Sequence, residues 1–228
     1  MTDKFPIIIP KEVKDLPSVL LKYQQTLLAT TAAYQVVLYQ KSRRIGITWG
    51  VAADAVLAAA TSKSARGMDV HYIGFNLDMT KEFIDTCAEW AKAFSYIATD
   101  IEEFIFKEID GNGNTKEIQA FRIKFDSGFQ INALTSRPRS LRGRQGYVII
   151  DEAAFHDDLK ELMKAALALL IWGGKVLVIS THAGVANPFN EYIQAAQAGR
   201  NKYKILTTTF DDALADGLYD RICHPPAR

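Results

Sequence analysis

The chain has 228 residues, 48% of them hydrophobic and 23% charged, and these fractions are typical of a globular domain with a packed core. Its 27 Lys and Arg residues nearly balance 26 Asp and Glu residues, so the net charge of +1 indicates neither a nucleic acid nor a membrane as partner. No apolar run approaches the roughly 20 residues that span a bilayer. The two cysteines have no metal-site spacing and suggest no disulfide framework, so the expected compartment is a reducing cytosol.

Short runs rich in β-branched and aromatic residues alternate with helix-like stretches. We predict strands near 34–40, 70–75, 147–150, 175–180 and 203–209, and helices near 48–62, 78–97, 157–170 and 188–198. This alternation predicts a mostly parallel sheet with helices on both faces. Residues 121–135 alternate around Ser127–Gly128 and predict an added antiparallel hairpin, and GNGN at 111–114 predicts a turn. The tail CHPPAR at 223–228 is predicted to be a linker, because consecutive prolines continue neither helix nor central strand.

The segment KSRRIGIT at 41–48 lies between the first strand and the first helix. The usual phosphate loop reads G-x-x-x-x-G-K-[ST]: backbone N–H groups cradle phosphates, the Lys neutralises them and the hydroxyl binds Mg²⁺. Aligning Gly46 and Thr48 to this pattern puts Ile47 at the Lys position and Lys41 at the first Gly. We predict that Lys41 supplies the ammonium from the other end of the loop. The other members of the candidate ATP site are Ser42, Arg43, Arg44 and Ile45. A solvated basic turn is the alternative.

Two carboxylates follow the buried strand YVII, at the end of the strand where ligands lie in open α/β sheets. We predict that Asp151 holds Mg²⁺ and that Glu152 orients and deprotonates the attacking water. An acidic cap at a surface turn would explain the same residues.

The strand VLVIST ends in Ser180 and Thr181, whose hydroxyls would sense the γ-phosphate if this strand lay between the other two. We predict this coupling role, although an ordinary strand-to-loop transition fits equally. Upstream, the amide of Gln24 can donate to and accept from adenine at once, unless Gln24 is an ordinary helix-surface residue.

Together these motifs resemble the ATPase domain of the large terminase subunit, the DNA-packaging motor of tailed bacteriophages. The resemblance covers most of the chain and rests on YQ at 23–24, KSRRIGIT at 41–48, SLRGR at 140–144, VIIDEAAF at 148–155 and VISTHAG at 178–184. It implies a P-loop NTPase fold of the RecA/ASCE type, an ATPase that uses ATP and Mg²⁺, and the site roles given above. The alternatives are a helicase-like DNA-dependent ATPase and a nucleotide-dependent scaffold that does not hydrolyse ATP.

The resemblance also implies partners and a domain plan. The partners would be double-stranded DNA, a portal protein, a small terminase subunit and further copies of the chain in a ring, in the cytoplasm of an infected bacterium. Residues 1–222 would form the ATPase domain, with an N-terminal segment at about 1–33 and a lid-like part at about 185–222. Residues 223–228 would begin a linker to a nuclease domain. The acids Asp211, Asp212, Asp216 and Asp220 are interpreted as a solvated helix face, so no nuclease activity is expected here.

Four arginines stand in SRPRSLRGR, just before the acidic strand. Such a cluster repels itself unless an anion relieves it. It would contact DNA phosphates or complete a neighbour's active site, with a solvated loop as the third possibility. We select Arg142 as a catalytic residue acting on a neighbouring subunit, because Gly143 permits a tight turn that presents its side chain outward. The runner-up is Arg139.

Overall fold

The computed structural model describes residues 19–94, 98–109, 115–135, 141 and 143–223. The strands are β1 Val36–Lys41, β2 Val70–Gly74, β3 Ala98–Ile109, β4 Thr115–Phe125, β5 Gln130–Thr135, β6 Tyr147–Ile150, β7 Lys175–Ser180 and β8 Lys204–Thr208. The helices are α1 Lys22–Ala33, α2 Ile47–Ala60, α3 Leu77–Ala93, α4 Leu159–Ala168, α5 Pro188–Gln197, α6 Phe210–Ala215 and α7 Leu218–Cys223. None of these helices is long and apolar enough to cross a membrane.

All eight strands form one sheet in the order β3-β4-β5-β2-β6-β7-β1-β8. The strands from β5 to β8 in this order pair in parallel, whereas β3–β4 and β4–β5 pair antiparallel. Strand β7 therefore lies between β1 and β6, which is the position that the predicted coupling role of Ser180 and Thr181 requires. The predicted α/β fold with a mostly parallel sheet and an added hairpin is confirmed.

Helices cover both faces of the sheet because its central strands are apolar on both sides. Along β1, Tyr39 packs with the core under α1, α2 and α3, while its neighbour Leu38 packs with the core under α4 and α5. Parallel strands buried on both faces read as continuous apolar runs, and VVLY in β1 and YVII in β6 are such runs.

Two stretches differ from the prediction. The helix predicted over 78–97 ends at Ala93, and strand β3 was not predicted. Consecutive acids at Glu102 and Glu103 interrupt the apolar alternation of β3, and acidic residues are depleted in strands. Antiparallel pairing with β4, continuous from Asp100 to Ile109 after a register shift between Ala98 and Asp100, overrides this weak local signal. The predicted turn at 111–114 and most of the predicted linker, at 224–228, lie outside the described residues.

Candidate functional site

The three sequence motifs meet at the carboxyl edge of the central strands. Residues 41–48, which we call the phosphate loop, connect the end of β1 to α2. Residues 151–156, which we call the catalytic turn, follow β6. Ser180 is the last residue of β7 and Thr181 follows it, and β7 lies between β1 and β6. A cavity of about 340 Å³ lies in front of the phosphate loop and is bounded by Lys41, Thr48 and Glu152 on one side and by Glu82 and Thr86 of α3 on the other.

The phosphate loop needs left-handed backbone at two positions. Arg44 has φ 57° and Gly46 has φ 70°, and a Cβ added to Gly46 would lie 3.3 Å from Nε2 of Gln24. Helix α1 braces this conformation: Tyr23 donates its hydroxyl to the Ile45 carbonyl, and Gln24 Nε2 donates to the Gly46 carbonyl at 2.7 Å. The Gln24 side chain is buried and its Oε1 accepts from the Leu21 N–H at 2.9 Å. Contact between Gln24 and adenine stays a prediction, whereas its contact with the loop is observed.

Side chains of the phosphate loop divide into two groups. Ile45 and Ile47 are 1% and 2% exposed and pack into the core, so only their backbone is available to a phosphate. Arg43 and Arg44 are exposed and line a second cavity of about 430 Å³ together with Lys41, Glu152 and Phe155. The start of the loop is fixed by a hydrogen bond from the Ser42 N–H to the Thr208 carbonyl of β8 at 3.0 Å.

Lys41 reaches the catalytic turn directly. Its Nζ lies 2.8 Å from Oε1 of Glu152, and the two side chains are 8% and 24% exposed. The predicted loop and the predicted acidic pair are therefore one site. The lysine at the beginning of the loop stands within contact distance of the group that we predict to activate water.

Asp151 and Thr48 offer a hard-oxygen donor pair that suits Mg²⁺. Thr48 Oγ1 is 3.3 Å from Oδ2 of Asp151, which also accepts from the hydroxyl of Tyr72 at 3.0 Å. Burial raises the pKa of the Asp151 carboxyl, while the nearby Lys41 ammonium opposes the rise. Among the described residues no three His, Cys, Asp or Glu side chains converge on a metal position.

The backbone of Glu152 is strained, with φ 50° and ψ 43° in the left-handed region. Such a conformation in a non-glycine residue costs on the order of 1–3 kcal/mol and persists only when its surroundings enforce it. Two contacts of His156 and Asp151 enforce it: the His156 ring donates from Nε2 to the Asp151 carbonyl at 2.7 Å, and Asp151 Oδ1 accepts from the Glu152 N–H at 2.8 Å. His156 was not among the predicted site residues, although it follows the acidic pair by only four residues.

The end of β7 contacts the catalytic turn. Ser180 Oγ accepts from the Ala154 N–H at 3.0 Å, so β7 is attached to the turn that presents Glu152. Asn187, which caps α5, donates to the Ala154 carbonyl at 2.7 Å and was not predicted. Thr181 Oγ1 is buried without a hydrogen-bond partner. A buried hydroxyl without a partner is costly, so it marks a position where a ligand oxygen or a water would be stabilised.

Two further predictions have different outcomes. Arg142, together with Arg137 and Arg139, lies outside the described residues, so its role stays a prediction. The acids near the C-terminus also make contacts within the fold. Asp212 forms a capping box with Thr209, the N-cap of α6, and Asp216 Oδ2 accepts from the Tyr23 N–H at 3.0 Å.

Comparison with known proteins identifies two relatives of this chain. The chain is 52% identical over 218 residues to the Mu-like prophage FluMu protein gp28 of Haemophilus influenzae, an alignment that covers 96% of this chain and 41% of the relative. It is 50% identical over 192 residues to the probable terminase, large subunit gp28, of Escherichia phage Mu, covering 83% of this chain and 34% of that protein. This chain is a homologue of the gp28 proteins. It spans less than half the length of both, and no family model matches it.

Solved structures of large terminases have folds similar to that of this gp28 homologue. The large terminase of a thermophilic bacteriophage, in complex with ADP, has a TM-score of 0.60 at 16% identity, covering 86% of this chain and 46% of that chain. The large terminase ATPase domain of a Thermus phage has a TM-score of 0.52 at 16% identity and covers 87% of both chains. At such identities the likeness shows the fold, which is that of the large-terminase ATPase domains.

Proposed function

We propose that this gp28 homologue is the ATPase part of a motor that drives double-stranded DNA into a viral procapsid. One observation supports this most strongly: the phosphate-loop ammonium of Lys41 and the carboxylate of Glu152 lie 2.8 Å apart beside the Thr48–Asp151 pair. A cation, a water-activating base and a metal-binding pair in one cleft are the parts that phosphoryl transfer to water requires. The relatedness to a probable terminase large subunit supports DNA packaging as the work that hydrolysis performs.

Each residue has a stated task in this proposal. Lys41 leaves Glu152 and pairs with the β- and γ-phosphates of ATP, while N–H groups of residues 42–48 surround them. Thr48 and Asp151 would hold Mg²⁺, which neutralises phosphate charge when bound. Glu152, released from Lys41, accepts a proton from the attacking water. Thr181 donates its unpartnered hydroxyl to the γ-phosphate, and Ser180 carries the change to the catalytic turn.

ATP turnover by the purified chain, with and without linear duplex DNA, tests this proposal. Stimulation by duplex without strand separation on a forked substrate supports a packaging motor, whereas strand separation would favour a helicase-like ATPase. Tight nucleotide binding with no turnover under any condition would support a scaffold and contradict the proposal. A Glu152→Gln variant supplies the matched inactive control.

Arg142 is proposed to act on the site of a neighbouring subunit, because a guanidinium stabilises the charge that spreads over the γ-phosphoryl oxygens. An Arg142→Ala subunit is mixed with a Glu152→Gln subunit. Activity regained in the mixture, which neither variant has alone, supports action across the interface. No rescue despite demonstrated co-assembly would leave a role within the same subunit or in DNA binding.

The remaining parts of the proposal come from the family. Assembly into a ring, contact with a portal protein and a small terminase subunit, and work in the cytoplasm of the host are expected of a terminase large subunit. We also propose that residues 1–222 form the ATPase domain and that this chain has no nuclease activity. Incubation with supercoiled plasmid and Mn²⁺ or Mg²⁺ tests the last point, and nicking that survives in purified protein would contradict it.

A further inference from the structure

The amino edge of the sheet, at the other end of the strands from the phosphate loop, carries a cluster of basic residues. Cross-strand registers align the beginnings of the central strands there: Val36 lies beside Val176, and Val37 beside Lys204. The connections that enter these strands, together with the strand starts, carry seven basic residues. Arg144 lies near the Asp69 carboxylate, and the other six, which we call the basic edge, are Lys63, Arg66, Lys175, Arg200, Lys202 and Lys204.

Little negative charge balances the basic edge. In the described stretches that form it, at 34–36, 61–70, 143–147, 172–175 and 198–204, the sole acidic residue is Asp69. Behind these stretches, the buried Asp54 lies close enough to Lys175 for the two charges to interact. That carboxylate is partly buried and accepts from the Gln130 N–H at 3.0 Å. All six basic residues except Lys175 are exposed. The net charge of the whole chain is +1, so this concentration of cations is local.

A cleft of about 380 Å³ opens into the basic edge between the end of α1, the connection from α2 to β2, and the starts of β1 and β7. Tyr34, Gln35, Arg66 and Lys175 line it, so it presents a guanidinium, an ammonium and an amide without a carboxylate. Beside it, Lys204 Nζ lies 5.4 Å from the centroid of the Tyr34 ring. The lining is chemically suited to a phosphate group.

Apolar side chains stand next to these cations. Tyr34, Ile171 and Trp172 are 45%, 80% and 73% exposed. Side chains of Arg, Lys and Tyr are among those that contact the phosphates and sugars of DNA, so Tyr34 beside the cations fits such a surface.

The spacing of the cations favours an extended polyanion. Neighbouring strands are about 4.8 Å apart. Along the edge the strands follow in the order β2-β6-β7-β1-β8, with Arg66 just before β2, Lys175 on β7 and Lys204 on β8. Four strand spacings separate the first of these strands from the last, so the cations are distributed over roughly 20 Å of the edge. A single small anion would occupy one position, whereas duplex DNA offers a phosphate about every 3.4 Å along each strand.

We propose that the basic edge binds the phosphate backbone of double-stranded DNA, with the cleft between Arg66 and Lys175 receiving one phosphate. The choice of DNA as the polyanion rests on the proposed function. The position of the surface, at the opposite end of the strands from Lys41, is derived from the structure alone. Six residues of β1, at about 3.3 Å each, separate the two edges by roughly 20 Å, so substitutions here leave the ATP site untouched.

The test is binding of a fluorescein-labelled 30-base-pair duplex at several salt concentrations. An Arg66→Ala, Lys202→Ala, Lys204→Ala triple variant removes three exposed cations. We expect at least tenfold weaker binding near 0.1 M salt and a log–log salt slope that is smaller by about 2 to 3, since each phosphate contact contributes about 0.9. A Lys175→Gln variant tests the cleft separately and keeps a hydrogen-bond donor beside Tyr147.

The matched control is a Lys81→Ala, Lys92→Ala, Lys164→Ala triple variant, which loses the same charge from exposed positions on α3 and α4. Equal loss of binding in both triples, or none in the first, would overturn the proposal. Displacement of the duplex by polyglutamate as effective as by unlabelled duplex would assign the edge to an acidic protein partner instead. ATP turnover without DNA is measured on the same samples. A chain that binds duplex through this edge but never hydrolyses ATP would refute the proposed function and would still support DNA binding by the basic edge.

Discussion

Lys41 Nζ lies 2.8 Å from Glu152 Oε1, which joins the cation at the start of the phosphate loop to the carboxylate at the end of β6. In this arrangement each group neutralises the other, so neither is available for its proposed task. Arriving phosphates compete with Glu152 for the ammonium, and release of the carboxylate makes it available to water. Binding of ATP and activation of the base would therefore be one event.

The first prediction concerns Glu152→Gln. The amide keeps the size of the side chain but cannot accept a proton from water, so turnover should fall by roughly 10²–10⁴-fold. Affinity for ATPγS should be equal to that of the parent or higher, because no ion pair with Lys41 has to be broken. Steady-state turnover and equilibrium binding measure the two effects. Parent-like turnover would assign the base to another residue.

The second prediction concerns Lys41→Ala. We expect weaker nucleotide binding and slower hydrolysis, because Ile47 fills the usual lysine position with a core side chain that is 2% exposed. The control is Lys81→Ala, an exposed lysine of α3 outside the phosphate loop. If Lys41→Ala binds and hydrolyses ATP like the parent, Arg43 or Arg44 is the main phosphate cation.

The motifs at strand ends could be predicted because their signals are local. In YVIIDE and VLVIST a buried run changes abruptly to polar residues, and parallel strands bring such ends to one edge. Contacts between distant segments have no local signal. The hydroxyl of Tyr72 reaches Asp151 from β2, and Tyr23 reaches the Ile45 carbonyl from α1. Both tyrosines have the pattern of ordinary core residues, so their second task depends on tertiary packing.

The third prediction concerns His156, whose ring donates to the Asp151 carbonyl at 2.7 Å. Burial lowers the pKa of His156, so near pH 7 the ring is neutral with its proton on Nε2, the nitrogen that faces the carbonyl. Loss of this bond would let Glu152 leave its strained conformation, and a displacement of about 1 Å can cost about 10²-fold in rate. His156→Leu should lower kcat by roughly 10- to 100-fold with little change in KM.

The matched variant His156→Gln retains an N–H donor and should keep much more of the activity. Thermal unfolding of both variants shows whether the loss comes from the site or from the fold. A rise in KM of equal size in both variants, with kcat unchanged, would contradict a positioning role for His156.

The last prediction concerns His71, which is 1% exposed at the amino edge of β2. Its Nε2 donates to the Gln145 carbonyl at 2.9 Å, and its Nδ1 faces the amide of Asn132 at 3.5 Å, so the neutral ring is satisfied and a second proton would meet a donor. Burial lowers the pKa of His71 from 6.5 to about 4. Between these pH values the unfolded chain binds a proton on this histidine and the folded chain does not. The free energy of unfolding therefore falls as the pH drops from 6.5 to 4, by up to about 3 kcal/mol.

A His71→Gln variant tests this prediction, because glutamine can make both hydrogen bonds and has no group that binds a proton in this pH range. Urea unfolding at several pH values between 4 and 7 should show that the free energy of unfolding decreases less in the variant than in the parent. Contributions from carboxyl groups are common to both proteins and cancel in the difference. Parallel curves for the two proteins would show that the folded state accepts the proton on His71.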